Sequence, residues 1–258
     1  MMLEIAIRAA REAGYLLAEK YNQPHEINVK GLRDISTEAD LAAEAVALHI
    51  IREGCPDARI VSEESNSHWQ DYGDSPTWYV DPLDGTTNYA RGLPTFSVSV
   101  AMAQGGRVLC GAVYDPLLGQ LFYAERGQGA YLNDKRLHVS SRNTLSECLL
   151  MLDWPRIPAL REAALRLLSR LAPQVDAVRS RGSAALGFCS VAAGWADIYF
   201  QFTLSPWDVA AGALLVEEAG GRVTSLRGQP YVLSQPDWLV TNGLVHEAVL
   251  ANGPFEQG

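Results

Sequence analysis

The chain has 258 residues, of which 48% are hydrophobic and 20% charged, so its composition is that of a folded globular protein and excludes disordered, collagen-like and coiled-coil classes. This length allows one large domain or two closely packed ones. The 21 Lys and Arg residues against 30 Asp and Glu residues leave a net charge of −9, which excludes a broad basic face for nucleic acid or an anionic membrane. A small basic cluster could still hold one phosphate.

The cysteines and the uncharged stretches indicate the compartment. The four cysteines form no CxxC pair, so we expect core thiols in a reducing cytosol and neither a zinc site nor a redox motif. Charged residues from Glu4 onward exclude a secretory signal. The longest uncharged stretches, residues 92–106 and 182–196, are shorter than the ~18 to 20 residues that span a bilayer. The sequence therefore predicts a cytoplasmic protein without a membrane span.

Helical periodicity dominates the start of the chain. Apolar residues at helical spacing predict an amphipathic helix over residues 2–21. A second helix is predicted over 38–53, after a Ser-Thr pair that supplies candidate N-caps. The polar stretch 22–35 between them, which contains Lys30 and Arg33, is expected to be a mobile loop.

From residue 59 the hydrophobic period changes to two, which is typical of strands. We expect antiparallel strands linked by hairpins over residues 59–62, 77–81, 96–102, 108–114 and 120–125.

Strands and helices alternate in the remainder of the chain. The predicted strands cover residues 147–152, 175–179, 195–201, 222–225 and 237–241, and the predicted helices cover 158–172, 184–194, 207–219 and a segment from about 243. An antiparallel first part and an alternating second part predict an α+β or layered α/β fold. No segment has the composition of a flexible linker, so we expect a single domain over 1–258, with an antiparallel-sheet half at 1–145 and an α/β half at 146–258.

The most informative motif is WYVDPLDGTTN, at residues 78–88. An apolar strand there ends in Asp81, and a Pro-containing turn brings Asp84 three residues later. Two buried anions this close need a cation or strong hydrogen-bond donors, and a divalent metal would satisfy both. The Gly-Thr-Thr run that follows offers backbone N–H groups at a helix start, where a phosphate oxygen can bind. The alternative is a turn in which both aspartates only cap.

Three further acids have a structural and a functional interpretation. Glu63 follows a predicted strand, and it is either a metal ligand or part of a solvated surface pair with Glu64. Asp208 lies in the first turn of an apolar helix, where the helix dipole alone would favour an anion. Asp40 could equally be a first-turn aspartate that caps its helix.

Four segments together, in this order, resemble the inositol monophosphatase family of metal-dependent phosphate monoesterases over residues 5–250. The segments are EES at 63–65, DPLDGTTN at 81–88, GSAA at 182–185 and WDVAAG at 207–212. The resemblance implies a five-layer αβαβα sandwich, a homodimer, sensitivity to Li⁺ and a small phosphate monoester as substrate. It makes the first half of the chain the metal-binding half.

The resemblance also assigns metal ligands residue by residue. It implies two to three Mg²⁺ ions, with Mn²⁺ as a possible replacement. The first ion is assigned to Glu63, Asp81 and the carbonyl of Leu83, and the second to Asp81, Asp84 and Asp208. Glu63 also contributes to a weaker third ion.

Further positions are assigned to water and substrate. Asp40 and Thr86 correspond to the pair that positions and deprotonates the attacking water, with Glu63 taking part through its ion. The positions assigned to the phosphate and to the alcohol side of the substrate are Asp84, Gly85, Thr86, Gly182, Ser183, Ala184, Gln201 and Asp208.

The donor types support metal-assisted hydrolysis without reference to the family. Oxygen donors alone favour Mg²⁺ or Mn²⁺ over zinc. Two such ions can clamp the attacking and leaving oxygens of an in-line displacement and lower the pKa of the attacking water, so no Ser, Cys or His nucleophile is required. The histidines outside the motifs, interpreted as surface or packing residues, are His25, His49, His68, His138 and His246.

Several alternatives remain for the function. The first prediction is inositol-1-monophosphatase, but related enzymes hydrolyse histidinol phosphate, 3′-phosphoadenosine nucleotides, fructose 1,6-bisphosphate or NADP, and a non-catalytic relative could bind protein or RNA. Two departures affect the substrate. Gln201 stands where inositol-hydrolysing relatives usually carry Glu, and the sequence DWP at 153–155 replaces the more usual GFP.

Overall fold

The structure, a computed structural model, describes residues 1–32, 34–65 and 74–253. Two helices, α1 (Met2–Lys20) and α2 (Glu38–Gly54), form its first layer and confirm the predicted periodicity. Helix α2 begins at Thr37, whose side chain accepts a hydrogen bond from Ala39 N. Arg33 and His68 lie outside the described residues.

The segment between these helices is not the expected loop. It contains an antiparallel hairpin of β1 (Ile27–Gly31) and β2 (Asp34–Thr37), in which Ile27 lies opposite Thr37. The alternation of Ile27 and Val29 with Asn28 and Lys30 is too short, among polar neighbours, to predict a strand from the sequence, and neither face of β1 is buried.

The first large sheet takes its strands from residues 59–136. In spatial order they are β3 (Arg59–Ser62), β4 (Thr77–Asp84), β5 (Ser97–Gln104), β6 (Arg107–Asp115), β7 (Gln120–Glu125), β8 (Gly129–Leu132) and β9 (Lys135–Arg136). The strands pair antiparallel except β3 and β4, which are parallel, so the prediction of hairpins throughout is wrong there. The connection between β3 and β4 is long enough for a crossover.

The second sheet has the order β11-β10-β12-β14-β13. Its strands are β10 (Leu149–Leu152), β11 (Ala177–Arg179), β12 (Ile198–Phe202), β13 (Arg222–Thr224) and β14 (Asp237–Thr241). The remaining helices are α3 (Thr86–Ala90), α4 (Pro158–Leu171), α5 (Ala184–Ala192), α6 (Pro206–Glu218) and α7 (His246–Leu250). These bounds agree with the predicted elements to within a few residues.

The elements stack in five layers, which confirms the predicted sandwich. Helices α1 and α2 pack on one face of the first sheet, α5 and α6 lie between the two sheets, and α4 and α7 cover the outer face of the second. Strand β12 shows why: Tyr199 faces the α5–α6 layer while Ile198 and Phe200 face α4. The division of the domain at residue 145 stays a prediction.

Close packing of the middle layer depends on a small residue. A Cβ at Gly212 of α6 would lie 2.6 Å from Cβ of Phe188 on α5, so glycine allows the two helices to touch. No helix within the described ranges is long and apolar enough to cross a membrane.

Candidate active site

The end of strand β4 is the centre of the site. This strand is buried along its whole length and brings Asp81, Leu83 and Asp84 to one edge of the first sheet. Gly85 then turns the chain into α3 with a φ of 98°. A Cβ at Gly85 would lie 3.0 Å from the carbonyl oxygen of Thr95 and 3.2 Å from that of Gly182, so only glycine allows this close approach.

Asp81 is almost fully buried and has one described backbone donor, Leu83 N, 3.0 Å from its Oδ1. Burial raises its pKa well above the usual range, and the charges of Glu63, Asp84 and Asp208 raise it further. We call Glu63, Asp81, Asp84 and Asp208 the acid cluster, because the charges of the other three all disfavour the ionised form of Asp81.

Asp84 is held by the start of helix α5. Its carboxylate accepts hydrogen bonds from the hydroxyl of Ser183, from Ala184 N at 3.1 Å and from Ala185 N at 2.8 Å. Burial still raises the pKa of Asp84 to about 6, because desolvation outweighs these donors. Ser183 and Ala184, assigned by resemblance to the alcohol side, therefore also position an acid.

Asp208 has the capping role that its sequence position predicted. It is the third residue of α6, and its Oδ2 accepts from Ser205 N at 2.7 Å. Burial, and then the charges of Glu63 and Asp84, raise its pKa to about 8. Asp208 therefore caps α6 and also belongs to the acid cluster, and its role as a metal ligand stays a prediction.

The structure brings Asp40 and Thr86 into contact although 46 positions separate them. The Thr86 hydroxyl lies 3.1 Å from Oδ1 of Asp40 and 3.0 Å from the carbonyl oxygen of Leu83. The other carboxylate oxygen of Asp40 accepts from the backbone N and the hydroxyl of Thr37, at 2.7 and 2.6 Å. Burial raises the pKa of Asp40 to about 6, so it can accept a proton near neutral pH.

Lys30 is a site residue that the sequence analysis missed. It lies on the β1–β2 hairpin, and its Nζ is 3.1 Å from Oε1 of Glu63 and 2.8 Å from Oε1 of Glu64. Burial lowers the pKa of Lys30, but the two glutamates outweigh that effect and raise it. The sequence predicts a loop over residues 22–35 and gives Lys30 no partner, so only the structure shows its contacts with Glu63 and Glu64. Glu63 and Glu64 are not a solvated pair, since their side chains are only 13% and 4% exposed.

Within the part of the chain that the structure describes, no three His, Cys, Asp or Glu side chains are grouped closely enough as they stand to hold a metal ion. Three of the acids have other partners: Lys30 for Glu63, α5 for Asp84 and the α6 cap for Asp208. The donor set nonetheless fits a hard divalent cation, because it consists of carboxylates that repel one another. The ligand assignments stay predictions.

The remaining predicted residues lie in the second half of the chain. Gly182 has a φ of 74° and donates its N–H to Oδ1 of Asp153 at 2.6 Å. Gln201, on β12, is buried, and its described hydrogen bond is local, from Phe202 N to its own Oε1 at 3.2 Å. The Gln201 side chain therefore does not point into solvent, and its assignment to the alcohol side stays a prediction.

Comparison with known proteins agrees with this arrangement. The chain matches the Inositol monophosphatase family over residues 1–255. The Nus factor SuhB of Escherichia coli is 41% identical over 254 residues, which are 97% of this chain and 95% of that protein. The fructose-1,6-bisphosphatase/inositol-1-monophosphatase of Thermotoga maritima is 34% identical over 249 residues, which are 96% of this chain and 94% of that protein.

Solved structures show the same fold. The extragenic suppressor protein suhB of Bartonella henselae superposes with a TM-score of 0.91 at 32% identity, covering 100% of this chain and 99% of that one. An inositol monophosphatase of Thermotoga maritima gives a TM-score of 0.89 at 34% identity, covering 97% of this chain and 96% of that one. Both the sequence and the layered fold therefore lead to one conclusion: the chain belongs to the inositol monophosphatase family.

Proposed function

We propose that the chain is a Mg²⁺-dependent phosphate monoester hydrolase that uses an activated water. One observation carries this proposal: an acid cluster in which burial raises the pKa values of Asp81, Asp84 and Asp208 adjoins the contact between Asp40 and Thr86 at the start of α3. Acids arranged this way cost folding free energy unless a cation neutralises them, and such perturbed groups concentrate at functional sites.

The proposed ion-holding residues are the acid cluster and the carbonyl oxygen of Leu83. When bound, Mg²⁺ or Mn²⁺ would neutralise phosphate charge and acidify a water molecule. The described contact of Lys30 is with Oε1 of Glu63, and the second oxygen of that carboxylate could be offered to the ion. The chain's own cation on Glu63 supports the view that this position attracts positive charge.

The proton-handling residues are Asp40 and Thr86. The Thr86 hydroxyl can accept from the attacking water while it donates to Oδ1 of Asp40, and Asp40, with a pKa of about 6, can take the proton. We assign phosphate binding to the backbone N–H groups of Gly85 and Thr86, as the family resemblance implies.

For the substrate we propose inositol 1-phosphate, and fructose 1,6-bisphosphate is the first alternative. The name of the Thermotoga maritima relative combines both activities, which supports testing them side by side. We further propose a cytoplasmic homodimer that is inhibited by Li⁺.

A panel of phosphate monoesters assayed with Mg²⁺ tests the proposal. We expect phosphate release by the wild-type protein in Mg²⁺, none in EDTA, and recovery when Mg²⁺ is restored. The matched control is Asp84→Asn, which keeps the side-chain shape. Release that persists in EDTA, or at the wild-type rate in folded Asp84→Asn, would contradict the metal assignment.

The second candidate is a non-catalytic binding role. It is favoured by the name Nus factor SuhB that several 41% identical relatives carry. A folded protein that binds Mg²⁺ but releases phosphate from no member of the panel would support it over hydrolysis.

A further inference from the structure

Asp153 is a buried carboxylate that the mechanism above does not use. It directly follows strand β10 and is 7% exposed. Its Oδ1 accepts three hydrogen bonds, from the Ser180 hydroxyl at 2.9 Å, from Arg181 N at 3.1 Å and from Gly182 N at 2.6 Å. Its Oδ2 accepts from the Tyr199 hydroxyl at 3.2 Å. Such a set of donors fixes the path of residues 180–182.

The segment that Asp153 holds leads directly to Asp84. The three residues after Gly182 supply every described hydrogen bond by which the start of α5 holds the Asp84 carboxylate. On its other side, Asn88 of α3 donates Nδ2 to the carbonyl oxygen of Arg181 at 2.7 Å. Residues 180–182 therefore hydrogen-bond to Asp153, and they lead directly into the residues that hold Asp84 of the acid cluster.

The two carboxylates also affect each other through space. Burial is the main cause of the raised pKa of Asp84, and the charge of Asp153 contributes in the same direction. Asp153 thus adds negative charge near the cluster without belonging to it.

We propose that Asp153 is a positioning residue, which holds the 180–182 turn so that the start of α5 fixes Asp84 in its place in the acid cluster. The inference rests on the proposed function, because it concerns the same site. Residues that orient ligands in this way typically change metal affinity or activity by about 10- to 100-fold when they are removed.

Asp197 provides a matched control within the same sheet. It is fully buried and precedes β12, and it accepts from the Ser140 hydroxyl, from Arg142 Nη1 at 3.3 Å and from Leu149 N at 2.7 Å. Leu149 begins β10, whereas Asp153 follows its end. The two acids therefore make similar hydrogen bonds at opposite ends of one strand, and only Asp153 is linked to the acid cluster.

The experiment compares Asp153→Ala with Asp197→Ala in the full chain. We expect both substitutions to lower the melting temperature, because each leaves buried donors without an acceptor. Calorimetric titration with Mg²⁺ should give a Kd about 10- to 100-fold higher for Asp153→Ala. The Kd of Asp197→Ala should stay within about twofold of wild type, as should its kcat at saturating Mg²⁺.

A conservative variant keeps the test decisive if Asp153→Ala does not fold. Asp153→Asn retains a neutral acceptor in place of a charged one, so we expect its Mg²⁺ Kd to rise by about three- to tenfold. Equal Kd values for Asp153→Ala and Asp197→Ala, or a wild-type Kd for Asp153→Asn, would overturn the positioning role while the wild-type enzyme stays active. A wild-type protein that neither binds Mg²⁺ nor releases phosphate would overturn the proposed function and this role together.

Discussion

The two halves of the chain contribute to the site through different interactions. The first half delivers Asp81 and Asp84 from the end of a buried strand, where desolvation and mutual repulsion dominate. The second half contributes the starts of α5 and α6, where backbone N–H groups satisfy a carboxylate. Asp81 has one described donor, whereas Asp84 has four, of which three come from the second half and the longest, from the Ser97 hydroxyl at 3.5 Å, from the first. Three of the four acids of the acid cluster therefore come from the first half, while the second half supplies Asp208 and the α5 donors that orient Asp84.

The largest expected effect is the loss of activity in Asp81→Asn. The substitution removes a proposed shared ligand, so kcat should fall by more than about 100-fold. The same substitution should raise the melting temperature of the metal-free protein, because it removes one of four repelling charges and keeps an acceptor for Leu83 N. Activity assays and thermal melts in EDTA check both parts. A lower melting temperature in EDTA would contradict the repulsion between Asp81 and the other acids of the cluster.

The next largest effect concerns the water-handling pair of the first half. Thr86→Ala removes the hydroxyl that contacts Asp40, so kcat should fall by about 10- to 100-fold while KM changes little. Steady-state kinetics with inositol 1-phosphate in saturating Mg²⁺ provide the measurement. If KM rises and kcat is unchanged, Thr86 binds the substrate and does not act on the water.

A smaller effect is expected from the second half, where Gln201 is assigned to the alcohol side. A charged acceptor stabilises a hydrogen bond more than a neutral one, by up to ~1.4 kcal/mol here. Gln201→Glu should therefore raise kcat/KM for inositol 1-phosphate by up to about tenfold, with little change for glycerol 2-phosphate. The ratio of the two values is the readout. Equal responses would show that Gln201 does not contact the polyol ring.

The smallest expected effect is the pH dependence of stability, which tests the repulsion between Asp84 of the first half and Asp208 of the second half. Burial raises the pKa of Asp84 to about 6 and that of Asp208 to about 8, above the values of an unfolded chain, so the metal-free native state binds more protons than the unfolded state. Its stability should therefore be highest near pH 4 and decrease as the pH rises to 8.

Mg²⁺ binds the ionised carboxylates of the native state, so the gain in melting temperature that it causes should grow over the same interval. For a chain of this length, each kcal/mol of repulsion that Mg²⁺ removes should raise the melting temperature by about 2 to 4 °C. Paired melts in EDTA and in Mg²⁺ at several pH values measure it. A Mg²⁺ effect that is the same at pH 5 and pH 8 would count against the cluster.

Some of the fold could be predicted because local patterns determined it. The apolar stripe of α1 reflects burial against a single neighbouring layer. In β5 the larger apolar side chains, Val98, Val100 and Met102, all pack on the α1 side of the sheet, while Ala101 and Ala103 pack on the other side, and this difference leaves a period in the sequence. The β1–β2 hairpin left only the short alternation around Ile27 and Val29, because β1 is exposed, and the parallel pairing of β3 with β4 is a contact between distant segments that no local pattern specifies.

The sequence by itself determined that Asp81 and Asp84 lie close together, because a strand that ends in DPLDGTT brings two carboxylates and a glycine turn to one place. Only the tertiary structure decided what surrounds them. Lys30 reaches Glu63 and Glu64, and Asp153 holds the turn next to Asp84, through contacts between residues 27 to 34 positions apart. The local sequence around each of these side chains predicts only an ordinary surface or core residue. Its role arises from long-range packing, which the spacing of neighbouring residues does not encode.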